Sequence, residues 1–68
     1  MKRPSYYVRA HTYRGVDGWQ VGSRGLPWNV SIFVRTYAGA CEIRNAYRVS
    51  REAGEAMTNR VFDREAIS

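Results

Sequence analysis

Residues 28–47 change from the pattern of a β-strand to that of an α-helix without an intervening loop. Between residues 29 and 36, β-branched side chains occupy every second position, which is the period of a strand with one dry face. Thr36 then stands where a helix N-cap would stand. The later residues that recur at the spacing of one helical stripe are Ala40, Ile43, Ala46 and Tyr47. This order predicts a sheet that is covered by a helix on one face.

A chain of 68 residues is expected to be one domain, close to the size at which a single core only marginally holds a fold. We expect residues 1–4 and 64–68 to be frayed. With 44% hydrophobic residues, the chain is too apolar to be disordered. No apolar run approaches the roughly 18 residues of a membrane span, and no signal-peptide core follows the N terminus. We therefore expect a cytoplasmic protein without membrane contact.

Catalytic and metal chemistry find little support in the sequence. The one cysteine, Cys41, excludes an internal disulfide, and with the one histidine, His11, it offers too few ligands for a zinc site. The chain contains no GxSxG motif, no Walker-type loop and no HExxH motif. We expect no enzyme activity, no cofactor and no metal ion.

Three strands can be placed by alternation and by turn residues. The first spans residues 5–14 and has two distinct faces, one with Tyr6, Val8, Ala10 and Thr12 and the other with Tyr7, Arg9, His11 and Tyr13. Residues 15–18 include two glycines and predict a hairpin turn, so the second strand runs from residue 19 to 23 or 24. Proline at the end of residues 25–27 breaks that strand, and residues 29–36 form the third. An antiparallel meander results.

The segment after Thr36 allows two interpretations. Residues 41–49 also alternate like a strand, which would give a four-stranded sheet followed by one C-terminal helix. We favour a helix, because the segment is rich in alanine and a bare three-stranded sheet needs a cover for its apolar face. Ser50 would then cap a second helix, or the first helix would continue, to about residue 62. The predicted fold is α+β, a three-stranded antiparallel meander with one face covered by two helices or one bent helix.

The two faces of the predicted sheet differ in chemistry. The core side takes Val8, Trp19, Val21, Val30, Ile32 and Val34. The open side interleaves aromatic rings with guanidinium and amide groups, and its candidate nucleic-acid-binding residues are Tyr7, Arg9, His11, Tyr13, Gln20, Arg24, Phe33 and Arg35. Arginine and glutamine read base edges in the major groove, and aromatic rings stack on unpaired bases. The alternative is a solvated face whose rings only form cross-strand pairs.

Charge is distributed unevenly along the chain. Residues 1–40 contain six basic side chains and one acidic side chain, whereas residues 41–68 contain five of each. Ten of the eleven basic residues are arginine, which favours bidentate contacts with phosphate or guanine, although codon bias in a GC-rich genome also enriches arginine. The excess of basic side chains in residues 1–40, which contain the predicted strands, indicates a polyanion as a candidate partner.

Two short runs carry a family resemblance. Gly18-Trp19-x-Val21, followed by glycines and then by Val34-x-Thr36-x-x-x-Ala40, resembles the arm-type DNA-binding domain of phage tyrosine integrases. The resemblance covers residues 5–48 and implies a three-stranded sheet followed by a helix. It also implies a free-standing DNA-binding accessory protein of a phage or mobile element, since the catalytic domain of a recombinase is absent.

We therefore expect a small nucleic-acid-binding protein, with duplex DNA as its preferred partner. The alternative is a small phage-type protein-interaction module or inhibitor, which would bind a host protein or itself through exposed apolar side chains. A stripe that the short sheet leaves uncovered would support a homodimer, and it comprises Ala53, Met57 and Val61.

Overall fold

Three strands and two helices follow one another along the chain. In the computed structural model, which describes residues 5–26 and 29–67, they are β1 (Ser5–Tyr13), β2 (Val16–Arg24), β3 (Ser31–Val34), α1 (Tyr37–Val49) and α2 (Arg51–Ile67). The strands pair antiparallel in the order β1-β2-β3. This confirms the α+β meander and the helix over residues 41–49, so the four-stranded alternative is wrong. Expectations for residues 1–4, 27–28 and 68 lie outside the described residues.

The hairpin between β1 and β2 turns earlier than predicted. Arg14 and Gly15 form the two-residue loop and both have positive φ, 52° and 78°. This loop type matches the twist of the flanking strands and usually takes Asn or Gly, so arginine gave no signal for it. The predicted turn at residues 15–18 is therefore wrong, because residues 16–18 belong to β2. As a result, the hairpin extends beyond β3, whose pairing with β2 begins at Val34 opposite Trp19.

The core lies between the inner face of the sheet and the helices. Its largest fully buried side chains are Val21, Val34, Ile43 and Val61. Val30, Ala40 and Tyr47 complete the buried cluster, and partly buried Tyr6, Val8, Trp19, Ile32 and Met57 pack against it. The alternation of the strands thus predicted the inner face correctly.

Two short polar residues mark the starts of the helices. The Thr36 hydroxyl accepts a hydrogen bond from the Gly39 amide at 3.1 Å, which confirms Thr36 as the N-cap of α1. The Ser50 hydroxyl accepts one from the Ala53 amide at 3.0 Å. Since Ser50 has extended backbone angles, it ends α1 and starts α2, and the two helices are separate.

Helix α2 is longer than the sequence suggested. It continues to Ile67, past the predicted end near residue 62, and includes residues 64–67 of the segment expected to be frayed. Two hydrogen bonds account for the extra turn: the Glu65 carboxylate accepts one from the Arg35 amide at 3.0 Å and one from the Thr36 hydroxyl at 3.2 Å. Within the described residues, no helix has the length and apolar character needed to cross a membrane.

Candidate nucleic-acid interface

The open face is the side of the sheet turned away from the helices. Alternation and strand register place on it the side chains of Ser5, Tyr7, Arg9, His11, Tyr13, Val16, Gln20, Arg24, Ser31 and Phe33. None of these is acidic. The one acid of the described strands, Asp17, lies on the other side, where its carboxylate accepts a hydrogen bond from the Thr12 hydroxyl at 2.8 Å. The open face is therefore positive and free of carboxylates over its described strands.

Two guanidinium groups gather around one tyrosine ring, and we call Tyr7, Arg9 and Arg24 the arginine–tyrosine cluster. The Arg24 Cζ atom lies 5.1 Å from the centroid of the Tyr7 ring, and the Arg9 Cζ atom lies 5.7 Å from it. Both distances fall within the range of cation–π attraction. Neither arginine forms an ion pair with a carboxylate among the described residues. The cluster thus concentrates positive charge that no described acid neutralises.

A chain of hydrogen bonds crosses all three strands. Arg9 Nε donates to Gln20 Oε1 at 3.0 Å, and Gln20 Nε2 donates to Ser31 Oγ at 2.9 Å. Gln20 lies directly opposite Arg9 in the ladder, so the first bond joins a cross-strand pair. An amide has two N–H donors and two acceptor lone pairs. Within the described residues, Gln20 therefore retains one donor and one acceptor that it can offer to a ligand.

Glycines of β2 provide room for two of the aromatic rings. A Cβ atom at Gly22 would clash with the outer end of the Tyr7 ring, and one at Gly18 would lie 2.5 Å from Phe33 Cζ. Each ring therefore extends across a neighbouring strand at a position without a side chain. Because these glycines have no Cβ atom, the rings can lie close to the sheet. A bulkier residue at either position would push the ring into solvent.

Phe33 is the centre of a second group of rings, the aromatic cluster of His11, Tyr13 and Phe33. The ring centroids of Tyr13 and Phe33 are 5.6 Å apart, and those of His11 and Phe33 are 6.1 Å apart in an edge-to-face arrangement. These separations are typical of favourable aromatic pairs. Apart from Arg35, the predicted site residues therefore divide into a cationic group and an aromatic group, with Gln20 between them.

A concavity with a volume of about 530 Å³ lies over the aromatic cluster. Its lining includes all three rings of the cluster, the polar side chains of Gln20 and Ser31, and Phe62. Phe62 belongs to α2 and is 44% exposed, so the helix supplies an apolar wall beyond the β3 edge of the sheet. Phe62 was not among the predicted site residues, because helical periodicity alone does not show that this residue reaches the open face.

Two further arginines have positions that differ from the prediction or were not predicted. Arg35 is exposed and follows the last residue of β3, and its backbone amide is bound to Glu65 of α2. It therefore lies at a corner of the sheet and not in the ladder. Arg14, which the prediction omitted, occupies the hairpin loop with its Cζ atom 5.3 Å from the centroid of the Tyr13 ring. The position of Arg14 in the sequence gave no indication of this contact, because the pattern predicted the turn at residues 15–18.

The helical side of the molecule has a different electrostatic character. Arg51 pairs with Glu55, and Arg64 pairs with Glu42 across the two helices. The hydrogen bond from the Arg64 guanidinium lowers the pKa of the Glu42 carboxyl, and the same bond raises the pKa of Arg64. Two basic side chains on this side, Arg51 and Arg64, thus have acidic partners, whereas Arg9 and Arg24 have none among the described residues.

The stripe proposed for self-association is largely used inside the chain. Val61 is fully buried in the core, and Met57 packs against the same cluster. The premise that the short sheet leaves this stripe uncovered is therefore wrong for Val61. Ala53 is half-buried beside Gly54, which packs against the Tyr47 ring. A homodimer through Ala53, Met57 and Val61 stays a prediction without that support.

The isolated cysteine lies on the inner side, away from the open face. A side-chain hydrogen bond with Cys41 raises the pKa of the Tyr37 hydroxyl. The Tyr37 ring in turn packs edge-to-face on Trp19, with centroids 4.8 Å apart. Over residues 5–26 and 29–67, no three His, Cys, Asp or Glu side chains come together as metal ligands would.

Comparison of the chain with protein-family models, with curated proteins and with solved structures found no match. The chemistry of the open face is defined by the contacts within this chain.

Proposed function

We propose that the protein binds nucleic acid through the open face of its sheet and acts as a small accessory or regulatory factor without catalysis. The observation that carries this proposal is the arginine–tyrosine cluster on a face without acids. Tyr7 attracts both Arg9 and Arg24, and no described carboxylate neutralises them. A polyanion is the partner that such a surface fits.

Phosphate is the group that the cluster suits chemically. Guanidinium groups donate several N–H bonds in a rigid planar fork that matches phosphate oxygens. Two of them on one ring repel each other, so an anion between them would relieve this repulsion as well as gain hydrogen bonds. Contacts of this kind position a protein on nucleic acid without reading its sequence.

Gln20 supplies a means of reading a base. Its amide is held by Arg9 on one side and by Ser31 on the other, and one donor and one acceptor are left among the described contacts. A glutamine amide with a free donor and acceptor can pair with an adenine edge. Sheets that enter the major groove use side chains in this way, which agrees with the sequence-based expectation of duplex DNA and with the resemblance to arm-type integrase domains. A cytoplasmic accessory protein of a phage or mobile element is the corresponding biological role.

The experiment measures binding over a series of salt concentrations. The readout is the fluorescence anisotropy of labelled duplex and single-stranded probes of one sequence. The variants are Arg9→Ala and Arg24→Ala. Arg48→Ala serves as the matched control, because it removes the same charge from an exposed position in the last turn of α1. We expect affinity for the preferred probe to fall steeply between about 50 and 200 mM salt. Each open-face variant should weaken binding and reduce the salt slope by about one unit.

The Arg48→Ala protein should bind close to wild type, since that side chain is on a helix that covers the other face. Circular dichroism verifies that each variant is folded. If folded Arg9→Ala and Arg24→Ala proteins bind every probe as the wild type does, the proposal is wrong.

A protein-interaction module is the second candidate, favoured by the exposed apolar side chains near the hairpin end. Tyr13, Val16 and Phe62 are 48%, 42% and 44% exposed. Val16 lies opposite Tyr13 in the ladder, and Tyr13 and Phe62 both line the concavity. An interface anchored by such side chains would change little with salt, so the same titration separates the two functions.

A further inference from the structure

We infer, on the basis of the proposed function, that the concavity over Phe33 receives one unpaired nucleobase, so that single-stranded nucleic acid is the preferred ligand over a closed duplex. The base would enter between the Phe33 and Phe62 rings, and the backbone phosphate would bind at the arginine–tyrosine cluster. The preferred ligand would then be a single strand and not the duplex DNA expected from the sequence.

The size and lining of the concavity fit a planar heterocycle. Its volume of about 530 Å³ falls within the range of small-molecule sites, which is about 300–1,000 Å³. Aromatic rings from β1, β3 and α2 line it together with a few polar groups, and such sites combine an apolar lining with a small number of polar groups that set orientation. The π-face of any base can stack on such rings.

The position of the Phe33 ring favours a base that has left its stack. This ring rests across Gly18 and lines the concavity. A planar ligand makes its largest contact with such a ring when it stacks its own face on it. In a duplex, both faces of a base are covered by stacked neighbours and its Watson–Crick edge is paired. Only an unstacked base can place its face against aromatic side chains. A base that has left its stack also exposes an edge to Gln20.

The two clusters are connected in a way that suits one nucleotide unit. Gln20 lines the concavity and also accepts the hydrogen bond from Arg9, whose guanidinium belongs to the arginine–tyrosine cluster. A base in the concavity therefore has a cationic group on the adjacent strand for its phosphate. Positive charge beside exposed rings is the combination that single-strand-binding surfaces use.

The test measures anisotropy of a labelled single strand of about 15 nucleotides and of the duplex with the same sequence, both at one salt concentration. The variants are Phe33→Leu, which keeps an apolar side chain but removes the ring, and Phe62→Ala at an exposed helical position. Phe33→Tyr is the conservative variant. Tyr37→Leu is the matched control, because it removes a 55%-exposed ring that packs on Trp19 on the other side of the sheet.

We expect wild type to bind the single strand more tightly than the duplex. Phe33→Leu should weaken single-strand binding about tenfold, and Phe62→Ala should weaken it in the same direction. Phe33→Tyr should retain the affinity, and Tyr37→Leu should leave it unchanged. Thermal melts exclude an effect of unfolding.

Two results would overturn the inference and leave the proposed function standing. One is tighter binding of the duplex, and the other is wild-type affinity of Phe33→Leu and Phe62→Ala for the single strand while Arg9→Ala is weakened. Failure of every probe to bind the wild-type protein would overturn both the inference and the proposed function.

Discussion

Glu65, near the end of α2, accepts a hydrogen bond at 3.2 Å from the hydroxyl of Thr36, which caps the start of α1. The same carboxylate also accepts a hydrogen bond from the Arg35 backbone amide at 3.0 Å. The Glu65 side chain of α2 thus binds both residues between the last strand and the first helix, Arg35 and Thr36. This contact joins residues 29 positions apart in the sequence.

Glu65→Ala should lower the free energy of unfolding by about 1 kcal/mol, because it removes two hydrogen bonds to a charged acceptor at a partly exposed position. Urea denaturation followed by circular dichroism measures this change. Asp63→Ala is the control, since it removes an exposed acid from the same helix. Equal stability of Glu65→Ala and wild type would show that the α2 end does not support the Thr36 cap.

Gly22→Ala should weaken nucleic-acid binding although it removes no contacting side chain. The new Cβ atom would clash with the outer end of the Tyr7 ring, which can swing away without disturbing the core. Arg9 and Arg24 would then lose the ring around which they gather. The variant should melt near the wild-type temperature and bind less tightly in the anisotropy assay. Unchanged binding would mean that Tyr7 does not organise the two arginines.

Gly54→Ala should destabilise the protein, contrary to the usual effect of this change within a helix. Helix propensity favours alanine by about 1 kcal/mol. However, the new methyl group would clash with Cγ and both Cδ atoms of Tyr47, a ring that is buried and stacks on Tyr6. Overpacking of a core typically costs about 1–3 kcal/mol, so the net effect should be a loss of stability.

Making the Gly54→Ala change in a second protein, one that lacks the Tyr47 ring, separates the cost of packing from other effects on stability. In a Tyr47→Leu protein, Gly54→Ala should cost less than in wild type, because the ring that it meets is gone. Urea denaturation of the four proteins in this cycle gives the coupling energy. Equal costs in the two backgrounds would contradict the packing explanation.

The Glu42–Arg64 pair should contribute to stability only above acidic pH. Arg64 lowers the pKa of Glu42 in the folded state, so this contribution is present above the ordinary carboxyl pKa of about 4.3 and is lost as the pH falls through the lower folded value. Glu42→Gln should therefore lower the melting temperature slightly at pH 7. The difference should shrink in high salt, because both groups are exposed, and vanish in strong acid. A difference that persists in strong acid would indicate a role for Glu42 other than this ion pair.

Local patterns in the sequence determined the elements and their faces. Alternation in the strands predicted that Val21 and Val34 point inward and that Arg9 and Gln20 point outward, because a strand reverses its side at every residue. Thr36 predicted the start of α1, since a hydroxyl that follows a strand and precedes an alanine-rich segment can accept a hydrogen bond from a backbone amide that has no partner within the helix. These signals act over a few residues and do not depend on the rest of the chain.

Only the tertiary structure decided where elements end and which outward side chains meet. The hairpin loop at Arg14 depends on strand register, and the length of α2 depends on Glu65 reaching Thr36. The concavity combines Phe33 with Phe62, whose positions relative to each other follow from how α2 packs beside β3. Contacts between residues far apart in sequence are set by packing of the whole chain, and the periodicity of a single segment contains no information about them.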